Sequence, residues 1–520
     1  MKREGRVSKK LKTWGGLVLC MWMATLLGGA APLKYTEDRL PSNLNPLYAD
    51  DMYSERITEL IFERMIGWNR DQKPVPMLAT SWTIAPDKKS ITLTLRKKVK
   101  WHDGKPFTSK DVAFTIKAMT SRRSQITDRY LAQIIKAVKT PSAHTVTIVF
   151  KKPLNKPVKW LQFKIIPEHR FKGKMPKRTN YFSQKPYGTG PFKFHRWMGK
   201  KIKMRRFKGH WRASKIRLKG AMLQAIPDKN IQVEVLRYGG IHAIVRVRPK
   251  DIPVFERDQN IRLYPYSTND WWYLGLNQKR GKVFRDKRVR EAFMYALDRD
   301  NLRSAQLGDG QTISGPFSPN DPLYNFNVMP RGQDREKAGK LLDQAGWKKG
   351  AGGIRRKGGK TLKIRLVLPK SKESYRALCL AVQSELRKIG VKVDLVWKPD
   401  AAWKKMVFKR GDFDMTLHIW NFDDLSSIYP LFHSKGSRNY IGFKSKKVDT
   451  LLTKATKTTD PVIYKAIYGK LHKVLHKELP YLFLWSLTNY SSISARVKNV
   501  TIHPFNYFHF AYSWYKKAEN

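Results

Sequence analysis

Cysteine is nearly absent from this 520-residue chain, which contains only Cys20 and Cys379. A framework of disulfides, such as the one that stabilises small secreted domains, is therefore excluded. A chain of this length is instead able to bury a large hydrophobic core divided among two or three domains. Hydrophobic residues form 41% of the sequence and aromatic residues 12%, so the composition indicates folded domains rather than disorder.

Acidic residues are also scarce, with 41 Asp and Glu against 103 Lys and Arg and a formal net charge of +62. A field of this sign attracts nucleic acid, anionic lipid and acidic ligands. The basic residues are nevertheless spread along the chain, whereas nucleic-acid-binding proteins concentrate them beside a recognition element. The pattern favours a basic surface set by the environment, with an exported polyanion-binding protein as the alternative. Because few carboxylates are available for protonation, the composition also predicts tolerance of acid.

Apolar runs long enough to span a membrane, roughly 18 residues, are missing as well. The apolar stretch at 14–27 follows a basic N-terminal segment and precedes the small residues of GGAAP. This order is typical of a cleavable secretory signal peptide. We predict cleavage between Ala30 and Ala31, and a soluble, monomeric mature protein in the periplasm.

Cys20 lies inside the predicted signal peptide, where lipid attachment would anchor the protein to the membrane. The preceding residue, Leu19, is bulky where lipoprotein signals have a small residue, so lipid attachment is not expected. After cleavage the chain keeps Cys379 alone, which cannot form an intramolecular disulfide. The mature protein is therefore expected to depend on its hydrophobic core for stability.

Motifs that would indicate catalysis or a metal centre are not found in the sequence. The 12 histidines show no H-E-x-x-H spacing and no cysteine partners, and there is no G-x-S-x-G sequence. The glycine-rich YGTGPF (187–192) lacks the Lys-Ser/Thr of a phosphate-binding loop, and WHDG (101–104) has the composition of a turn. The sequence therefore predicts no enzyme, no metal site and no cofactor.

Hydrophobic periodicity predicts strands and helices in alternation along the chain. The predicted strands cover residues 90–101, 144–150, 391–397 and 480–487, and the predicted helices cover 108–119, 284–302 and two segments closed by Gly346 and Gly390. Thr108 and Asp111 have the spacing of a helix-capping box. The chain is thus predicted to be a mixed α/β protein with more than one lobe.

Three aromatic residues, Trp271, Trp272 and Tyr273, open a further predicted strand. Since neighbouring strand residues face opposite sides, at most two of them share a face. Core packing and a ligand-facing aromatic wall are both compatible with this arrangement. The acid-free segment 193–219 predicts a strand pair with one charged face, and a solvated face is favoured there over a nucleic-acid platform.

The order of several segments resembles the family 5 extracellular solute-binding proteins, the oligopeptide-, dipeptide- and nickel-type receptors of ABC importers. Segment 60–119 is similar to the signature region of that family, and GTGPFKFHRWMGKKIKMRRFKGHW (188–211) is similar to its later hairpin. Segments 273–302 and 460–485 are similar to parts of the family's third domain. The resemblance covers nearly all of the mature chain.

The resemblance implies an α/β, two-lobed, three-domain periplasmic binding protein fold that closes over its ligand by a hinge. The implied divisions are a signal peptide at 1–30, domain I at 31–62, 187–268 and 488–520, domain II at 63–186, and domain III, the second lobe, at 269–487. The crossings near Pro186–Gly190 and Thr268–Trp271 are expected to act as hinge strands.

The resemblance also implies a role for Asp423, one of two aspartates that follow the apolar stretch LHIW (417–420). In peptide-binding members the strand end W-x-x-D carries the aspartate that pairs with the α-amino group of the ligand, and Trp420 and Asp423 match these positions. A carboxylate partly desolvated by Trp420 would bind an ammonium strongly once the cleft closes. Asp424 is interpreted as a neighbour or cap.

Trp403 and Arg410 resemble other cleft residues of the oligopeptide receptors, and Trp271 and Trp272 are kept as candidate ligand contacts. The implied function is to capture peptides and deliver them to an ABC permease in the inner membrane, without catalysis. Nickel chelates or other small solutes are alternative ligands for the same fold. The peptide length and the partner of the peptide carboxylate are left open.

Overall fold

The computed structural model describes residues 32–517 except for 72, 125, 127–129, 155, 268, 269, 280, 320, 422–427, 459 and 505. The predicted signal peptide with Cys20 lies outside the described residues, and so do Asp423 and Asp424.

Strands and helices alternate along the chain, as the sequence predicts. The strands are β1 (Leu33–Glu37), β2 (Ile66–Trp68), β3 (Pro74–Pro76), β4 (Ala79–Ile84), β5 (Ser90–Leu95), β6 (Ile135–Ser142), β7 (Thr145–Phe150), β8 (Phe192–Met198), β9 (Lys201–Arg206), β10 (Gly220–Ala225), β11 (Ala243–Ile244), β12 (Ile261–Ser267), β13 (Asp270–Leu276), β14 (Gly310–Thr312), β15 (Lys348–Lys349), β16 (Arg355–Lys357), β17 (Lys360–Thr361), β18 (Lys363–Pro369), β19 (Lys392–Lys398), β20 (Met415–Asn421), β21 (Tyr481–Phe483), β22 (Trp485–Ser494), β23 (Val497–Lys498) and β24 (Tyr515–Lys516). The α-helices are α1 (Met52–Ile61), α2 (Ser109–Thr120), α3 (Tyr130–Ile134), α4 (Lys229–Arg237), α5 (Ile252–Glu256), α6 (Lys287–Ala296), α7 (Arg299–Leu307), α8 (Arg335–Gln344), α9 (Arg376–Lys388), α10 (Asp400–Lys404), α11 (Tyr429–Phe432), α12 (Lys446–Lys457) and α13 (Pro461–Glu478).

The first lobe is built on an eight-stranded sheet with the strand order β12-β22-β11-β1-β10-β9-β8, and β14 pairs with β22 at its margin. The central strand β1 runs parallel to β10 and β11. Its residues Leu33 and Tyr35 are buried together with Leu223 of β10 and with Ile57 and Ile61 of α1. Because full burial of one such side chain contributes about 1.5–3 kcal/mol, this core fixes α1 against the sheet.

A four-stranded antiparallel sheet, β4-β5-β7-β6, forms a second core in the part of the chain predicted as domain II. Ile91, Leu93 and Leu95 of β5 are buried on one face, which confirms the predicted alternation. At the start of α2 the carboxylate of Asp111 accepts a hydrogen bond from the Thr108 N–H at 2.8 Å. The predicted cap is therefore present, and it satisfies a backbone donor at this helix end.

The second lobe is built on a five-stranded sheet with the strand order β19-β18-β20-β13-β21. Both faces of this sheet are covered. One face packs against α6, α8 and α9 through residues that include Leu274 and Leu366. The other packs against α11, α12 and α13 through residues that include Tyr273 and Val367. The two cores hold β13 and β20 in a fixed position, and these strands carry most of the candidate site residues.

Two chain crossings join the lobes. The first leads from β12 of the first-lobe sheet into β13 of the second. The second is β22, whose residues Trp485–Leu487 pair with β14, whereas its residues 488–494 pair with β12. The predicted hinge near Thr268–Trp271 thus lies at a lobe crossing, but the one near Pro186–Gly190 does not.

The segment of the predicted hinge at Pro186–Gly190 packs tightly against the end of α1. A side chain at Gly188 would approach the carbonyl oxygen of Ile61 to 1.8 Å, and one at Gly190 would approach it to 2.7 Å, so both positions require glycine. The Gly188 N–H donates to Nδ1 of His102 at 3.1 Å, and Nε2 of His102 contacts the Gly190 carbonyl at 3.0 Å. The sequences WHDG (101–104) and YGTGPF (187–192) are thus held together by the two hydrogen bonds of His102.

The predicted helix at 284–302 is interrupted in the structure. It forms α6 and α7, with Leu297 extended between them. The carboxylate of Asp298 accepts a hydrogen bond from the Asn301 N–H at 3.1 Å and so caps a new helix. None of the helices in the described part of the chain is both long enough and apolar enough to cross a membrane.

Candidate functional site

The candidate site lies on the antiparallel pair formed by β13 and β20. Trp271 is directly opposite Trp420, and Tyr273 is directly opposite His418. In such a pair, opposite residues project from the same face of the sheet. The strands therefore bring two of the predicted site residues, Trp271 and Trp420, onto one face at adjoining positions.

Trp272 projects to the other face of the sheet. It belongs to the core that contains Leu274, whereas Trp271 and Tyr273 belong to the core on the opposite side. Trp272 packs edge-on against Tyr375 with ring centroids 4.9 Å apart. The prediction that at most two of the three aromatic residues share a face is confirmed. Trp272 contacts Tyr375 on the face opposite to Trp271.

We call the group formed by Trp271, Tyr273, Trp403, His418 and Trp420 the aromatic face. The rings of Tyr273 and Trp420 are almost parallel, at 6° and with centroids 6.2 Å apart. The imidazole of His418 lies 5.3 Å from Trp420 and 5.2 Å from Trp403. Trp271, Tyr273 and Trp403 are buried, whereas His418 and Trp420 are half-buried. The aromatic face thus runs from the core to an accessible margin.

Hydrogen bonds fix the orientation of the rings. Trp403 donates from Nε1 to the Thr416 hydroxyl at 3.2 Å, and Thr416 donates to the Val367 carbonyl at 2.8 Å. The Tyr440 hydroxyl donates to that of Tyr273 at 3.0 Å. A set of rings held in this way provides rigid contact area for a ligand at little cost in conformational entropy.

His418 is neutral at physiological pH. Burial lowers its pKa to about 4, and the positive charges of Lys372 and Lys404 act in the same direction. Burial also raises the pKa of Tyr273 well above its ordinary value. The aromatic face therefore presents hydrogen-bonding groups without a net charge.

Charged groups stand around the accessible margin. The Lys372 side chain is exposed, yet desolvation by the surrounding protein lowers its pKa and the charge of Arg246 lowers it further, against the effect of Asp400 and Asp270. Arg246 belongs to the first lobe, two residues after β11, whereas Lys372 belongs to the second. Lys372 and Arg246 therefore lie near each other at the boundary between the lobes.

In the sequence, Asp423 lies just beyond the end of β20. Asn421, the last described residue of β20, is opposite Asp270, the first residue of β13. Asp423 follows two residues later and lies outside the described residues. Its role as an amine partner is therefore still a prediction.

Arg410 is not brought to the aromatic face by any contact among the described residues. It is exposed and ends a π-helix, Lys405–Arg410, before Gly411 takes a left-handed conformation with φ +68°. Phe408 of the same helix does reach the site, where its ring lies 5.1 Å from Trp403. The π-helix therefore contributes to the site through Phe408.

Sequence reasoning missed Lys372, Arg246 and His418. Lys372 follows β18, and Arg246 follows β11, so each lies at the end of a strand near the lobe boundary. In the sequence, Lys372 and Arg246 are distinguished only by following a strand, and many other basic residues of the chain do the same. His418 could have been found, because it lies two residues before Trp420 and alternation puts both on one face.

A metal centre made by the chain alone is not found in the described part of the structure. No group of three His, Cys, Asp or Glu side chains there is close enough to hold an ion. Cys379 is buried, and burial raises the pKa of its thiol to about 12. It is therefore not available as a thiolate ligand.

Comparison with known proteins gives matches over most of the chain. Residues 73–440 match the model of bacterial extracellular solute-binding proteins, family 5. The oligopeptide-binding protein AppA of Bacillus subtilis is 28% identical over 479 residues, which cover 89% of this chain and 88% of that protein. Its solved structure, in complex with a nonapeptide, superposes with a TM-score of 0.79 at 26% identity and covers 94% of this chain and 100% of that chain. The crystal structure of NikZ from Campylobacter jejuni in complex with Ni(L-His) gives a TM-score of 0.80 at 25% identity, with 93% and 99% covered.

Proposed function

This chain belongs to family 5 of the bacterial extracellular solute-binding proteins, and from that membership we propose that it captures peptides in the cleft between its lobes. The predicted family and the predicted two-lobed α/β fold are confirmed. Delivery of the peptide to an ABC permease, export to the periplasm and a monomeric state are parts of the same proposal. The observation that carries it is a rigid aromatic face with charged groups of both signs at its margin.

The aromatic face suits the side chains of a peptide. Trp403, His418 and Trp420 offer flat surfaces that accept residues of different shape, as a receptor for varied peptides needs. His418, neutral and half-buried, is able to donate or accept a hydrogen bond with a peptide backbone.

The charged groups at the margin suit the two ends of a free peptide. Asp423, three residues after Trp420 in the sequence, is proposed to pair with the α-ammonium. Lys372 and Arg246 are proposed to receive the α-carboxylate, since both are cations at the cleft and Arg246 reaches it from the opposite lobe. A carboxylate between them would be held by both lobes and would favour the closed form.

The role of Lys372 is tested by substituting it. Lys372→Ala is expected to weaken binding of a free peptide about 10- to 100-fold, the range for loss of a hydrogen bond to a charged group. Peptides with an amidated C-terminus lack the carboxylate and should bind the variant and the wild type with similar affinity. Lys370→Ala, an exposed lysine two residues earlier, is the matched control and should change little. Isothermal titration calorimetry measures each affinity, and an equal loss for free and amidated peptides would argue against the role.

A cation–π contact between the two lobes is a feature of the closed form. The Lys156 ammonium of the first lobe lies 5.2 Å from the ring centroid of Tyr464 in the second. Cation–π contacts of this kind contribute about 0.5–1 kcal/mol at exposed sites, enough to favour closure without enforcing it. Binding of a peptide is therefore expected to raise the population in which domain II and the start of α13 are in contact.

Fluorescence energy transfer measures this closure. Dyes placed at Lys152→Cys and Val462→Cys report across the cleft, because both native side chains are exposed. Cys379 is buried with a raised thiol pKa, so it reacts poorly with thiol labels. Transfer should rise on adding peptide, whereas a pair within domain II, Lys97→Cys with Lys152→Cys, should not respond. An unchanged signal across the cleft at saturating peptide would contradict closure.

A nickel chelate is the second candidate ligand, and His418 favours it. A neutral, half-buried imidazole is a good ligand for nickel. Since the described residues hold no set of three metal ligands, the metal would have to arrive with ligands of its own. Tighter binding of Ni(L-His) than of any peptide, lost in His418→Gln, would favour this alternative.

A further inference from the structure

A second concave site lies on the first lobe, away from the aromatic face. It is a cavity of about 220 Å³ where β8 and β9 meet the segment before the Gly188–Gly190 turn. The side chains that define its chemistry are Lys185, Tyr187, Lys193, Phe194, His195 and Arg205. Three are permanent cations, one is a phenol and none is acidic.

The strand register places like charges opposite each other at this cavity. Lys193 is directly opposite Arg205, and the next outward pair is Arg196 opposite Lys203. Like charges at directly opposite positions destabilise a sheet. The pKa of His195 is lowered, first by desolvation and then by the positive charges of these four residues.

No carboxylate among the described residues forms an ion pair with these four strand cations. The nearby acid Asp103 is already engaged, with its Oδ2 at 2.8 Å from His169 and 3.8 Å from Arg170. The positive charge at the cavity is therefore not balanced by the protein itself.

His102 forms a neutral wall of the cavity. Its Nδ1 accepts a hydrogen bond from the Gly188 N–H, which leaves Nε2 to donate to the Gly190 carbonyl. Burial lowers its pKa to about 4, so it adds no charge at neutral pH. The cavity is thus lined by the cations Lys185, Lys193 and Arg205 and by His102, whose ring is fixed by two hydrogen bonds.

We propose that this cavity binds a multivalent oxyanion of the phosphate type. Arg205 supplies a planar fork that matches two phosphate oxygens, and the two lysines supply further charge-assisted donors. A bound phosphate or pyrophosphate would also relieve the repulsion between Lys193 and Arg205. The phosphate group belongs either to a free anion or to the headgroup of an anionic lipid, and the test distinguishes these sources.

The test uses two matched double variants. Lys193→Gln with Arg205→Gln removes the pair that lines the cavity. Arg196→Gln with Lys203→Gln removes the same two charges from the next pair of the same strands, outside the cavity. Each variant relieves a like-charge contact, so both are expected to fold at least as well as the wild type.

Calorimetric titration with inorganic pyrophosphate at constant ionic strength, balanced with NaCl, gives the affinity. The wild type and the outer-pair variant should bind one pyrophosphate, and the cavity-pair variant should bind it at least tenfold more weakly. In parallel, sedimentation with phosphatidylglycerol vesicles, against phosphatidylcholine vesicles, tests the lipid source. Vesicle binding lost in the cavity-pair variant alone, without pyrophosphate binding, assigns the site to a lipid headgroup.

Two results would overturn the proposal. One is that the wild type binds neither pyrophosphate nor anionic vesicles in a saturable way. The other is that both double variants lose binding equally, because the general positive field of the protein would then be responsible. Peptide affinity should be unchanged in both variants, so a failure here is separate from a failure of the proposed peptide function.

Discussion

Replacing Asp423 by alanine is expected to weaken binding of a free peptide about 30- to 4,000-fold. Truncating one member of a buried charged pair costs about 2–5 kcal/mol, which corresponds to that range of affinity. The physical reason is that the ammonium of the ligand is left in a closed cleft, beside Trp420, without its counter-charge. Asp424→Ala is the matched control and should lose far less, because the resemblance to peptide-binding receptors assigns the amine to Asp423 and not to its neighbour.

Peptides with an acetylated N-terminus complete this test. They lack the ammonium, so they should bind the wild type poorly and lose little more in the Asp423→Ala variant. Calorimetry with free and acetylated peptides on both proteins forms a double-mutant cycle that isolates the pair. Equal losses at the two aspartates, or undiminished binding of acetylated peptide to the wild type, would show that Asp423 does not bind the amine.

The free energy of unfolding is expected to fall steeply as the pH is lowered from about 6.5 toward 4. Burial lowers the pKa of His102, His242 and His503 to about 4 and that of His472 to about 3, from an ordinary 6.5. Below 6.5 the unfolded chain protonates these histidines and the folded protein does not. Their contribution to stability is therefore complete above pH 6.5 and is lost as the pH falls through the folded-state pKa.

The expected change of the free energy of unfolding with pH is large. Each histidine contributes about 1.4 kcal/mol per pH unit, so these four alone give a slope of about 5 kcal/mol per pH unit near pH 5. Burial also lowers the pKa of His418 and His476 to about 4 and that of His509 to about 3, which makes the slope steeper. Glu59 acts in the opposite direction, since burial raises its pKa to about 7 and it stabilises the fold in acid. With a total stability of about 5–15 kcal/mol, the protein should unfold between pH 4 and 6. The scarcity of carboxylates predicts tolerance of acid instead. We expect the protonation of the buried histidines to have the larger effect on the free energy of unfolding.

Urea unfolding at a series of pH values from 4.5 to 7.5 measures this slope. His472→Gln should reduce it by about 1.4 kcal/mol per pH unit, because one proton-binding site is removed. In the folded protein Nε2 of His472 lies 2.9 Å from the Ser314 hydroxyl, and its Nδ1 accepts from the Asn325 N–H. A flat stability curve down to pH 4.5 would contradict the prediction.

Much of the fold is predictable from local patterns. Ile91, Leu93 and Leu95 are buried on one face as their alternation indicates, and Asp111 caps α2. The aromatic residues at the start of β13 divide between two faces for the same reason, since strand geometry alone requires it. These features are set by residues that are close in the sequence, so they can be predicted from one sequence alone.

The rest depends on contacts between distant segments. Nothing near Arg246 in the sequence indicates that it approaches Lys372, which is more than a hundred residues away in the other lobe. The resemblance places a domain boundary at 487–488 without naming a hinge there, and β22 changes its partner from β14 to β12 at this point because register is set by the assembled sheets. The glycines of the predicted hinge at Pro186–Gly190 pack closely against Ile61, a residue more than a hundred positions earlier in the sequence.

The most direct test of the peptide-receptor account is native mass spectrometry of the mature protein purified from the cells that export it. The account predicts a bound population of peptides with free termini, released on denaturation and reduced in the Asp423→Ala variant. Wild-type protein that carries a nickel chelate or another non-peptide solute in place of peptides would contradict it.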